Sequence, residues 1–309
     1  MALVFFIHGV ATKDAGYSKK LEALIREEFN KKDKPLPHFY ASFWGNILKQ
    51  TGQIWNWVHE DLQDFLKIHP NVDVKDIFRY QEFRQDFISE FFGDILTYFN
   101  TERGRKIREL IAQGLSDFIK TFPQDEELHI ITHSLGSVVL WDVLFSEQFE
   151  PNDPAYEIRA MIESLNCDRT SLQKNYLKTI TTMGSPILFF NMMLNISSAK
   201  IKDFTGKYHP QPLIWLNIIH SSDIIAYPLK ASINAGSIPT IFFRDKYIWA
   251  DANGAERGAR TFGQAHAAMA IGVSDGHGYY WGSRGTARLV AANILGYCSA
   301  IDSALIDNN

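Results

Sequence analysis

The chain has 309 residues, 46% of them hydrophobic and 21% charged, which is ample apolar material for a core and leaves no stretch polar enough to predict disorder. A net charge of −4 without any Lys/Arg-rich run argues against a phosphate-backbone partner, so nucleic acid is not expected. Cys167 and Cys298 are too few for a disulfide framework and predict free thiols in a reducing, cytoplasmic compartment.

Met1-Ala2-Leu3-Val4-Phe5-Phe6-Ile7-His8 has no basic lead, and its apolar run is too short for a signal peptide or a membrane span. Residues 3–7 read instead as a first strand. Leu21, Leu24, Ile25 and Phe29 then recur at helical spacing, and residues 38–42 read as a second strand. From residue 44 to about 121 the alternation gives way to helix-length segments rich in Trp and Phe, among them Trp44, Trp55, Trp57, Phe65 and Phe92. This stretch is expected to form an inserted helical cap. Tyr80, Phe83, Phe87, Phe91 and Ile95 fall on one helical face, whose first use is to pack the insertion onto the sheet. An acyl-chain pocket or a membrane-facing lid is the alternative use.

Further strands are predicted over 128–132, 177–183 and 213–220, with a helix carrying Leu135, Val138, Val139 and Asp142 at amphipathic spacing. Residues 237–258 suggest a hairpin, with Ile241-Phe242-Phe243 and Tyr247-Ile248-Trp249 flanking an Arg244-Asp245-Lys246 turn, and residues 286–305 a closing helix. The order strand, helix, strand predicts an α/β fold: a mainly parallel central sheet with helices on both faces and the helical cap inserted. One domain over 1–309 is expected.

The residues richest in chemistry are Leu128-His129-Ile130-Ile131-Thr132-His133-Ser134-Leu135-Gly136-Ser137-Val138-Val139, a buried-type strand turning abruptly into a helix. This resembles the nucleophile elbow of the α/β-hydrolase superfamily, in which a serine on a strained turn exposes its hydroxyl. Small residues are needed two places before and after that serine. Gly136 meets the second demand, whereas Thr132 departs from the glycine of the pattern. An ordinary serine N-cap would also suit a helix start. The strand before, the helix after and partners in the chain order Ser, Asp, His favour Ser134 as nucleophile.

Phe5-Phe6-Ile7-His8-Gly9-Val10 resembles the early strand-to-loop turn that supplies one oxyanion donor in this superfamily. The resemblance implies an oxyanion hole from the backbone N–H groups of Val10 and Leu135. A serine hydroxyl needs a histidine to accept its proton and a carboxylate to hold that imidazole. His277, in the loop Ser274-Asp275-Gly276-His277-Gly278, stands where the superfamily's catalytic histidine falls, with His266 as the fallback. His133, beside the nucleophile, reads as structural or as a wall of the pocket.

For the carboxylate, Asp223 ends the strand Trp215-Leu216-Asn217-Ile218-Ile219-His220 and resembles the triad acid, although an Asx turn is its bland reading. Asp275 is too near His277 in sequence, and Asp245 and Asp251 belong to the expected hairpin. Ser185 in Gly184-Ser185-Pro186 is a rival nucleophile, set aside because the proline disfavours the helix an elbow requires.

Together the resemblance implies a serine hydrolase cleaving a carboxylic ester through Ser134, His277 and Asp223, with no metal or organic cofactor. Thioester and amide substrates stay open. The aromatic insertion leans toward an apolar acyl or lipid substrate, with transient membrane contact through the cap. A non-catalytic or membrane-associated interaction module on the same fold is the reading from another class.

Overall fold

The computed structural model of the chain describes residues 1–10, 12–47, 51–79, 81, 84–85, 90–125, 127–167, 176–208, 212–264, 272 and 275–303. Six apolar segments pair as β1 (Ala2–Ile7), β2 (His38–Ser42), β3 (Glu127–His133), β4 (Tyr176–Met183), β5 (Leu213–His220) and β6 (Ile241–Ile248). They form one sheet in the order β2-β1-β3-β4-β5-β6, and every adjacent pair is parallel. Parallel strands require crossovers, and the chain supplies helices for them.

These are α1 (Lys19–Asn30), α2 (Thr51–Ile68), α3 (Val74–Ile77), α4 (Glu90–Phe99), α5 (Thr101–Thr121), α6 (Leu135–Phe145) and α7 (Pro154–Cys167), followed by α8 (Ile187–Leu194), α9 (Ser198–Tyr208), α10 (Gly254–Thr261), α11 (Arg284–Ile294) and α12 (Cys298–Ser303). The two-residue period of each strand divides the core in two. Leu3, Phe5 and Ile7 of β1 pack with Ile111 and Leu115 of α5, Val139 of α6 and Ile158 of α7. Val4 and Phe6 point the other way, onto Leu21, Ile25 and Phe29 of α1 and Leu289 and Val290 of α11. The molecule is thus an α/β fold with both sheet faces covered, which is why the central strand β1 is apolar throughout rather than alternating.

The segment 44–121 divides. α5 is the crossover between β2 and β3, and its apolar stripe joins the sheet core. α2 exposes Ile54, Trp57, Phe65 and Ile68. Tyr80, Phe83 and Phe87 lie outside the described residues. Trp44 belongs to neither helix; it is fully buried against His8, their rings stacked at 4.2 Å.

Three expectations are corrected. The hairpin at 237–258 does not form: Arg244, Asp245 and Lys246 lie inside the continuous edge strand β6. Asp245 accepts hydrogen bonds from Asn217 Nδ2 and from the Leu229 and Lys230 amides, while Arg244 pairs with Asp302. The charges are therefore satisfied without a turn. α6 is not amphipathic, since all of its residues are buried between sheet and outer helices. The single closing helix over 286–305 is two, α11 and α12, separated at Gly296, whose φ of +71° ends a helix readily. Among the described residues no helix is long and apolar enough to cross a membrane.

Candidate active site

The sheet order creates the site. From β1 the chain passes to β2 on one side, whereas β3 lies on the other and leads on to β4. Loops leaving β1 and β3 therefore diverge, opening a crevice at the carboxyl ends of the strands. Gly9 and Ser134 meet there: a Cβ on Gly9 would stand 2.3 Å from Ser134 Cβ and 3.0 Å from its Oγ.

Ser134 has φ +54° and ψ −128°, a conformation favoured only by glycine, because α6 must start directly at the end of β3. The same turn explains Gly136, where a Cβ would fall 2.4 Å from the His8 carbonyl oxygen and 2.5 Å from that of Ile7. Ser134 N–H donates to the Met183 carbonyl at 3.0 Å, and Ser137 Oγ donates to the Ser134 carbonyl at 2.5 Å. Both bonds hold the backbone and leave the hydroxyl out. Ser134 Oγ is buried and has no hydrogen-bond partner among the described residues. Leu135 N–H is the first amide of α6, where no intrahelical acceptor exists. Val10 lies half-buried in the turn beyond Gly9.

Asp223 and His277 come together from 54 residues apart. His277 Nδ1 lies 3.1 Å and 3.0 Å from the two carboxylate oxygens. An ionised carboxylate only accepts, so a proton sits on Nδ1, and in the neutral ring the lone pair is on Nε2. His277 Nε2 is buried and unpartnered among the described residues; it makes no hydrogen bond to Ser134 in this conformation. Asp223 also accepts from Tyr280 Oη at 2.8 Å and from Ile225 N–H at 3.0 Å. Burial works against its charge, but the neighbouring His277 and these donors outweigh it and hold the carboxyl below its usual range.

Tyr280 went unnoticed in the sequence. Its buried hydroxyl also accepts from the His220 amide at 2.9 Å, tying Asp223 to the end of β5. The only sequence signal is its spacing three residues after His277. His133 Nε2 donates to the His277 carbonyl at 2.8 Å and supports the helical turn over 275–278 that carries His277, where a loop was expected. Burial, reinforced by His277, lowers its pKa to about 3, so it stays neutral.

The rival carboxylates are engaged elsewhere: Asp275 accepts from Asn253, Asp251 pairs with Arg257 and Arg260, and Asp245 serves the sheet edge. His266 lies outside the described residues. The ground for setting Ser185 aside is corrected, because α8 does begin straight after Pro186, which stands at its N-cap position. What distinguishes Ser185 is its hydroxyl, bonded to Ser137 Oγ at 2.9 Å and accepting the Ile187 amide at 3.3 Å. Among the described residues no three His, Cys, Asp or Glu side chains are grouped to hold a metal ion.

No protein-family model matches the chain, and no curated protein matches it. Among solved structures it is similar to an uncharacterized protein from Bacillus cereus ATCC 10987, with 10% identity and a TM-score of 0.39 over 80% of this chain and 52% of that one. The chain thus spans about half the length of that protein. It is also similar to esterase PE8, with 12% identity and a TM-score of 0.33 over 87% of this chain and 90% of that one. Neither likeness is close enough to transfer a chemistry.

Proposed function

We propose that the chain is a serine hydrolase of the α/β-hydrolase type that cleaves carboxylic esters, with Ser134 as nucleophile, His277 as general base and Asp223 as its orienting acid. The observation that carries this reading is a pair of buried, unpartnered atoms. Ser134 Oγ stands on a strained strand-to-helix turn, and His277 Nε2 presents a lone pair because Asp223 holds the proton of Nδ1. Other buried side-chain atoms among the described residues, such as His129 Nε2 and His220 Nε2, also lack hydrogen-bond partners; what sets this pair apart is that one stands on the strained turn and the other on a ring bonded to a buried carboxylate.

In this mechanism His277 Nε2 takes the hydroxyl proton as Ser134 Oγ attacks the ester carbonyl carbon. The resulting oxyanion accepts from the Val10 and Leu135 amides. Collapse breaks the bond to the leaving alcohol, which receives the proton from His277, and the acyl group stays on Ser134. Water then attacks the acyl-enzyme with His277 again as base, releasing the acid. Asp223 stays ionised throughout and stabilises the imidazolium.

An apolar acyl group is favoured by the surroundings. α8, which follows the turn bonded to Ser137, exposes Phe189, Met192 and Met193 and carries no charged residue. Ile224, next to Asp223, is exposed as well.

A fluorophosphonate probe tests the nucleophile. Labelling of the wild-type chain that disappears in Ser134→Ala supports the reading; labelling that persists in the mutant, or a folded wild type that never labels, contradicts it. On p-nitrophenyl esters, kcat/KM is expected to change with acyl length. A flat series would remove the apolar preference.

A further inference from the structure

His8 is fully buried inside an aromatic box of Tyr17, Phe43 and Trp44. A ring so enclosed must satisfy both nitrogens within the protein. Nε2 lies 3.0 Å from the Trp44 backbone N–H, which can only donate, so Nε2 carries no proton. The ring is therefore neutral with its hydrogen on Nδ1, and that nitrogen lies 2.7 Å from the Gly9 carbonyl oxygen. Nδ1–H donates to it. Burial keeps the ring in this state by lowering its pKa to about 4.

That carbonyl belongs to the same peptide unit as the Val10 amide. The unit is trans, as every described peptide bond is, so its C=O and N–H point in opposite directions. With the Gly9 oxygen pinned toward His8, and touched from the loop by Thr12 Oγ1 at 3.3 Å, the Val10 N–H is turned away from the aromatic box. A glycine at position 9 lets the chain lie against Ser134, but it also lets this peptide rotate easily. A flipped unit would offer the oxyanion a carbonyl oxygen in place of a donor.

We propose that His8 is a positioning residue: its Nδ1–H bond to the Gly9 carbonyl holds the Gly9–Val10 peptide in the orientation that keeps the Val10 amide available to the oxyanion beside Ser134. The inference rests on Ser134 being the nucleophile. Neutral histidine suits the place because it donates to Gly9 from one side and accepts from Trp44 on the other.

The test compares His8→Asn with His8→Gln, since an asparagine amide reaches the place of Nδ1 and a glutamine amide that of Nε2. Both are assayed on a p-nitrophenyl ester, with thermal unfolding to show that they fold. Losing one oriented oxyanion donor lowers kcat by roughly 10²- to 10³-fold. His8→Gln is expected to show a loss of this order at little change in KM, and His8→Asn to recover at least ~10-fold of it. Equal kcat in the two folded variants, or a loss appearing in KM alone, would overturn the inference while leaving the nucleophile intact. A wild type that neither turns over ester nor takes up fluorophosphonate at Ser134 would overturn the hydrolase reading and this inference with it.

Discussion

Ser134 bears the local cost of the site. Its φ of +54° belongs to a region costing a non-glycine residue about 1–3 kcal/mol, retained because β3 and α6 leave the turn no other path. The strain predicts a stability difference unrelated to activity. Ser134→Gly relieves it and Ser134→Ala does not, so after allowing for the extra chain entropy of glycine the Gly variant should be about 1 kcal/mol more stable in urea unfolding. Equal midpoints for the two variants would mean the turn is unstrained. Tyr280 is the complementary case: it strains nothing, but adds the third donor to Asp223 and so restrains the carboxylate in rotation as well as in charge.

Among the elements, β6 shows how charge and strand formation coexist. Arg244-Asp245-Lys246 looks like a turn because charged residues are poor in central strands. At an edge, charge is instead a device against unwanted pairing. Asp245 does more, since its two oxygens collect Asn217 of β5 and the Leu229 and Lys230 amides from the segment that follows the acid turn. Asp245→Ala leaves these donors without an acceptor and should cost about 1–3 kcal/mol. Chemical denaturation checks this; a loss below about 0.5 kcal/mol would show that water replaces the carboxylate. α5 and α6 differ for a related reason: α5 has one face on the sheet, whereas α6 lies wholly inside.

Over the whole molecule, the buried histidines make stability depend on pH. His8 and His133 have pKa values lowered by burial, to about 4 and about 3. Below pH about 6.5 the unfolded chain takes up protons that the folded chain refuses, so stability falls as pH falls toward those folded values. Each group contributes a slope of up to about 1.4 kcal/mol per pH unit. Asp223 acts in the same direction at lower pH: its depressed pKa stabilises the fold above the ordinary carboxylate range, and that is lost as pH drops through the folded value. Urea midpoints should therefore decline steadily from pH 7 to pH 5, and less steeply in His8→Asn. A midpoint constant across that range would show that these rings take up protons without unfolding.

The sequence by itself determined the periodic and the local. Five strands were legible nearly to their bounds because short runs rich in apolar residues stop sharply at polar or glycine turns, and the strand-to-helix turn at Ser134 was legible because strand, small residues and helix are consecutive. It misread β6, since an edge strand tolerates the charges that elsewhere mark a turn, and it read α6 as one-sided because spacing does not report how many layers cover a helix. Tertiary structure alone decided that Asp223 meets both His277 and Tyr280, that Trp44 leaves the insertion to enclose His8, and that the Gly9 carbonyl turns toward the imidazole. Each of these is a contact or orientation between groups brought together by the order of parallel strands. No local pattern encodes them, because the energy that selects them is shared across the assembled core.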